Sequence, residues 1–120
     1  MKNYSKIIFI LIIISFTFSN LNAQEKENKI DTLQFNVSGV CNSCKTRIEN
    51  AALIKGVKFA EWNKEEQMLT VVFNSTKTTV DKIHQSIAYA GHDTDKAKAT
   101  DEAYSKLPKC CAYRDGIETH

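Results

Sequence analysis

Three patterns in the chain predict an α+β domain whose four-stranded antiparallel sheet carries two helices on one face. Leu33, Phe35 and Val37 alternate with polar neighbours, and Leu69, Val71 and Phe73 do the same, the period-two signature of half-buried strands. Two other stretches repeat apolar residues at helical spacing: Cys44, Ile48, Ala51, Ala52 with Leu53, and then Val80, Ile83, Ile87 and Ala88. Their order is strand, helix, strand, strand, helix, and right-handed crossovers leave few other ways to bury both helical stripes.

Taken in order, residues 1–23 read as a secretory signal: Lys2 and Lys6, an apolar run over 7–18, and Ala23 before the cut. The run is shorter than the roughly 20 residues of a membrane span, so the mature chain is expected to have none. Residues 24–31 are a polar lead-in. Strand one follows, then the loop Ser38-Gly39-Val40-Cys41-Asn42-Ser43, then helix one from about Ser43, with Gly56 expected as its C′ residue. Residues 57–62 and 68–73 make a hairpin across the polar 63–67. Thr78 is expected to cap helix two, with Asp81 three residues on, and Gly91 to stop it. Residues 92–99, rich in Asp and Lys, supply a weak fourth strand at an edge. A short helix over 101–107, capped by Thr100 and ended before Pro108, opens a C-terminal extension over 100–120. The plan is the ferredoxin-like βαββαβ sandwich.

Charge narrows the function. Removing the signal takes two of the 16 Lys and Arg and none of the 14 Asp and Glu, so the remaining 97 residues are formally neutral. A neutral domain has no electrostatic footprint for nucleic acid. All four cysteines, Cys41, Cys44, Cys110 and Cys111, lie beyond the signal. Cys41 and Cys44 stand on the loop entering helix one, three residues apart and so about one turn, which lets both sulfurs face one point. The partial positive charge of a helix N-terminus favours thiolate there. Two converging thiolates are soft donors, fit for Cu(I), Hg(II), Zn(II) or Cd(II) and poor for Mg(II) or Ca(II). The small polar Asn42 and Ser43 lead us to expect an exposed site with open coordination.

Over residues 33–99 the chain resembles the heavy-metal-associated domain family, whose members include copper chaperones, periplasmic mercury-binding proteins and domains of metal-pumping P-type ATPases. The likeness rests on the element order, on Val37-Ser38-Gly39 leading to Cys41-x-x-Cys44, on Gly56-Val57 and on Ala90-Gly91. It implies metal ligation by Cys41 and Cys44 and a role in sequestering or passing on a soft metal. The family commonly has Gly-Met-x-Cys-x-x-Cys; here Gly39-Val40-Cys41 is one residue shorter and Val40 stands in for the Met. The extension lies outside the resemblance.

Further metal ligands are expected at His92, Cys110 and Cys111. The plan sets the loop after helix two beside the first loop, which brings His92 near, and some family members carry a His there. A fourth strand would lead about 20 Å away; a short helix returns about 10 Å and four extended residues about 13 Å more, so Cys110 or Cys111 can reach back. His84 is expected on the helix surface, and His120 receives no role. Trp62 and Phe73 are expected in the core. Phe59 is expected on the open sheet face, where Tyr104 and Leu107 of the tail could cover it. Lys45 and Arg47 could offset the charge of a dithiolate–metal complex.

The leading reading is an exported, non-enzymatic protein, periplasmic or secreted. It captures Cu(I), Hg(II) or Zn(II) through the cysteine pair and buffers the ion or delivers it to a membrane metal transporter, a P-type ATPase or an importer. It would act as a monomer or a metal-bridged dimer. A thiol–disulfide oxidoreductase is the alternative, although Val40 replaces the aromatic residue expected before the first Cys and the one Pro lies in the tail. A domain stapled by two disulfides is the third reading.

Overall fold

The computed structural model describes residues 29–120, so the signal expected over 1–23 lies outside the described residues. Strand β1 (Ile30–Asn36) leads to helix α1 (Asn42–Ala52), strands β2 (Val57–Asn63) and β3 (Met68–Asn74), helix α2 (Val80–Tyr89) and the short helix α3 (Asp101–Ser105). Two single 3-10 turns follow at Lys109–Cys111 and Tyr113–Asp115. Among the described residues no helix is long and apolar enough to cross a membrane.

The sheet runs β1-β3-β2, antiparallel throughout. Phe35 faces Leu69, Leu33 faces Val71 and Trp62 faces Leu69 across the ladders. Side-chain alternation therefore sends Phe35, Trp62, Leu69, Val71 and Phe73 to one buried face, where Ile48 of α1 and Ile83 and Ile87 of α2 cover them. Complete burial of each such side chain contributes about 1.5–3 kcal/mol. The helices are tied as well as packed. Ser86 Oγ donates to the Ala51 carbonyl at 2.6 Å, joining α2 to α1. Glu49 Oε2 accepts from the Trp62 amide at 2.9 Å and from Lys45 Nζ at 2.7 Å, while Lys45 also donates to the Trp62 carbonyl. Lys45 thus fastens α1 to β2 rather than facing the cysteines.

The sheet has three strands where four were expected. Only Val37 and Thr94 pair in the region of the missing strand. The residues there spend their polar groups locally: Thr94 Oγ1 accepts from the amides of Lys96 and Ala97, and Asp93 Oδ1 accepts from the Ala99 amide. Side chains that capture backbone N–H groups compete with a ladder for them.

Several smaller expectations are also corrected. The strand begins at Ile30, inside the stretch read as lead-in. The cap of α2 is Thr79, whose side chain accepts from the Lys82 amide, while Thr78 is buried beside it. Leu53 is exposed, because α1 ends at Ala52. Gly56 has φ +98° and turns the chain into β2 instead of closing the helix. Gly91 does end α2, at φ +104°. Phe59 points outward and stays exposed, since the tail packs elsewhere. His84 is buried rather than surface: its ring lies 3.9 Å from that of Phe35, and Nδ1 meets Thr94 Oγ1 at 2.6 Å.

Candidate metal centre

The loop between β1 and α1 is shaped by its neighbours before its cysteines act. Gly39 lies over the indole of Trp62, where a Cβ would stand 2.9 Å from the ring and 3.1 Å from Cys44 Cβ. Gln67 grips the same residue on both sides: Nε2 donates to the Gly39 carbonyl at 2.6 Å, and Oε1 accepts from the Gly39 amide at 3.0 Å. Gln67 does this from φ +58°, the one described non-glycine residue in the left-handed region. Trp62 Nε1 donates to the Val37 carbonyl at 3.0 Å. Val40 is buried and belongs to the core cluster with Cys41 and Cys44.

On this base Cys41 precedes α1 with an extended backbone and Cys44 sits in its first turn. Their sulfurs are 3.3 Å apart. Cys111, on the first 3-10 turn of the tail, places its sulfur 3.4 Å from that of Cys41. All three sulfurs lie within 4.8 Å of one another, a geometry able to hold one metal ion. Arg47, three residues after Cys44, donates from Nη1 to Cys111 Sγ at 3.3 Å. Cys110 is exposed, with its sulfur 3.9 Å from that of Cys111 and outside the group. All four cysteines are free thiols, whereas a stapled domain would have joined them in two bridges.

The site departs from the exposed pair that was expected: Cys41 is 5 % exposed and Cys44 and Cys111 are 0 %. Burial reverses the expected effect of the helix N-terminus at Cys44. Desolvation, helped by the neighbouring Cys111 sulfur, pushes its thiol up to about 12. Cys111 goes the other way. Desolvation opposes ionisation there too, but hydrogen bonds from Cys44, Cys41, Arg47 and Ser43 outweigh it and bring the thiol down to about 7. Of these two thiols, the one better prepared to bind metal as thiolate therefore belongs to the tail.

His92 does not join the sulfur group. It is 0 % exposed, and its Nδ1 lies 2.8 Å from the Ser38 carbonyl. A carbonyl only accepts, so Nδ1 carries the proton and the buried Nε2 is left without a partner. Desolvation lowers its pKa to about 4, which keeps the ring neutral. His92 thus braces the cysteine loop and stacks on Tyr113 of the tail, ring centres 5.5 Å apart.

The tail is fastened by residues whose role the sequence did not reveal. Tyr113 Oη donates to the Gly91 carbonyl at 2.6 Å and accepts from the Asp93 amide at 3.0 Å. Arg114 binds Asp93 and the Ala99 carbonyl, and its guanidinium lies 4.6 Å from the centre of the Tyr104 ring. Leu107 packs against Gly91, where a Cβ would stand 2.9 Å from it. The His120 amide reaches the Val40 carbonyl at 2.7 Å. An aromatic residue and an arginine, two and three positions after the paired cysteines, were the available hint, but only contact with Asp93 and Gly91 gives them meaning.

Comparison with known proteins decides the family, because the heavy-metal-associated domain matches residues 34–93, half of the chain. The chain belongs to the heavy-metal-associated domain family. This heavy-metal-associated domain is similar to the CopZ metallochaperone at 30% identity and a TM-score of 0.52, over 53% of this chain and 98% of that one. Oxidized MerP from Ralstonia metallidurans CH34 is similar at 26% identity and a TM-score of 0.53, over 56% and 96%. A copper-binding domain of a P-type ATPase is similar at 26% identity and a TM-score of 0.52, over 53% and 89%. No curated protein sequence matches the chain. The matched region of this heavy-metal-associated domain contains Cys41, Cys44, Arg47 and His92, and stops well before Cys111.

Proposed function

We propose that the protein is an exported carrier of a soft metal ion, held by Cys41 and Cys44 together with Cys111 of the tail. The observation that carries this reading is the convergence of three buried sulfurs within 4.8 Å of one another. Three thiolates around a soft cation form a stable trigonal set, while hard cations prefer oxygen. The metal is cargo: no bond in an organic substrate is made or broken. Cu(I), Hg(II) and Zn(II) are the cargoes the donor set admits, and the similar proteins include a metallochaperone and a copper-binding domain of a P-type ATPase.

Delivery proceeds by ligand exchange, in which a thiolate of a membrane transporter displaces one site sulfur at a time. Cys111 is the ligand best placed to leave first, because it stands on a tail outside the matched domain. The signal over 1–23 would send the protein to the periplasm or beyond the cell.

Native mass spectrometry of reduced protein with Cu(I) or Hg(II) tests the reading. One ion per chain is expected, lost in Cys41→Ser and weakened in Cys111→Ser, with stoichiometry unchanged in Cys110→Ser. Uptake that survives Cys41→Ser, or no uptake at all, overturns it.

A further inference from the structure

We propose that the three-sulfur site prefers a soft divalent cation over a monovalent one, and that Arg47 sets this preference by balancing the charge of the loaded site. The inference rests on the three-sulfur reading above and adds the class of its cargo. Loading breaks the S–H bonds of whichever sulfurs are still protonated, forms three S–metal bonds and releases the protons to solvent. Three thiolates around a divalent ion leave one negative charge. The Arg47 guanidinium, with Nη1 3.3 Å from Cys111 Sγ, cancels it.

A monovalent ion on the same three thiolates leaves two negative charges, of which Arg47 offsets one. Cys41, Cys44 and Cys111 are all buried, so the remaining charge stands away from water, where it is strongly disfavoured. Of the other charged side chains on these elements, Lys109 on the turn of Cys111 is exposed, so water screens it, and two more are matched. Lys45 is paired with Glu49 at 2.7 Å and Asp93 with Arg114 at 2.7 Å. Cu(I) reaches neutrality beside Arg47 only when one sulfur keeps its proton. It then binds two sulfurs closely, and the third contributes less to its affinity than to that of a divalent ion.

Competition titrations of reduced protein with Cd(II) and with Cu(I) test this, using wild type, Arg47→Gln, Arg47→Lys and Cys111→Ser. Arg47→Gln keeps a donor without the charge, and is expected to weaken Cd(II) relative to Cu(I) about tenfold, the scale of one charge-assisted hydrogen bond. Arg47→Lys restores most of the difference. Cys111→Ser is expected to remove the three-coordinate sulfur-to-Cd(II) charge-transfer absorbance and to weaken Cd(II) about tenfold more than it weakens Cu(I). Equal losses for both ions in Arg47→Gln, or equal losses in Cys111→Ser should Arg47→Gln not fold, overturn the proposal. Wild-type protein that takes up neither ion defeats the underlying three-sulfur reading instead.

Discussion

Arg114 holds Asp93 through two nitrogens, Nε at 3.2 Å and Nη2 at 2.7 Å, and so ties the tail to the loop that follows α2. Both side chains are about one-fifth exposed, so water screens the pair only in part. The guanidinium beside Asp93 keeps its carboxyl below the usual carboxylate range against the opposing effect of desolvation. Arg114→Ala is expected to cost about 1–3 kcal/mol, the scale of breaking a charge-assisted hydrogen bond in a partly dry site. Because Cys111 stands three residues earlier, the same change should speed alkylation of Cys111 by a maleimide, read by mass spectrometry. Unchanged Cys111 reactivity would show that the tail is held by other means.

Gly39 has no room for a side chain. A methyl group there would meet the Trp62 ring at 2.9 Å and Cys44 Cβ at 3.1 Å, and both atoms belong to the packed core. Gly39→Ala should lower stability by about 1–3 kcal/mol through overpacking. Metal affinity should fall with it, since Cys44 must shift. Denaturant melts of the metal-free protein, compared with metal titration, check both effects.

Gln67 stabilises the same loop at the cost of a left-handed backbone. Gln67→Ala removes its bonds to Gly39 and Lys64 and keeps the strain, so a loss of about 1–3 kcal/mol is expected. Gln67→Gly removes the strain as well and should be the milder of the two, an ordering that thermal melts can reverse.

Acid should weaken the fold in a defined window. The His92 pKa falls from 6.5 to about 4 on folding, so below pH 6.5 the unfolded chain binds a proton that the folded chain refuses. Stability is complete above that pH and declines as the pH drops toward 4, by about 3 kcal/mol in all. His84, whose pKa is also lowered by burial, acts in the same direction. Metal-free His92→Gln should show a flatter dependence of Tm on pH across this window. An equally steep profile would assign the acid sensitivity to other groups.

Thiol ionisation should occur in separated steps. Cys111 is brought to about 7 and Cys44 pushed up to about 12, so thiolate absorbance of the metal-free protein should rise first near neutrality. Cys111→Ser should abolish that early step. Its persistence would place the low-pKa thiol elsewhere.

Much of this protein follows from residue order alone. Strict alternation in β1 and β3 and the two apolar stripes on α1 and α2 specify the elements, because period two and period 3.6 each suit a single backbone geometry. The cysteine spacing likewise puts Cys41 and Cys44 at one helix start. Local pattern could not foresee the fate of residues 92–99, where Thr94 and Asp93 divert backbone amides that a fourth strand would have used. Nor could it tell that His84 and His92 are buried, since each looks like an ordinary polar residue until Phe35 or Ser38 is brought against it.

The burial of the centre is the clearest such case. Chain order determines that two thiols share a loop; tertiary contact decides that Cys111, 70 residues from Cys41, completes the set and that Cys110 beside it does not. The reason is physical: spacing governs atoms within one turn, while the placement of a distant sulfur depends on a path through Leu107, Tyr113 and Arg114. Those grips exist only once Gly91 and Asp93 have been folded into position.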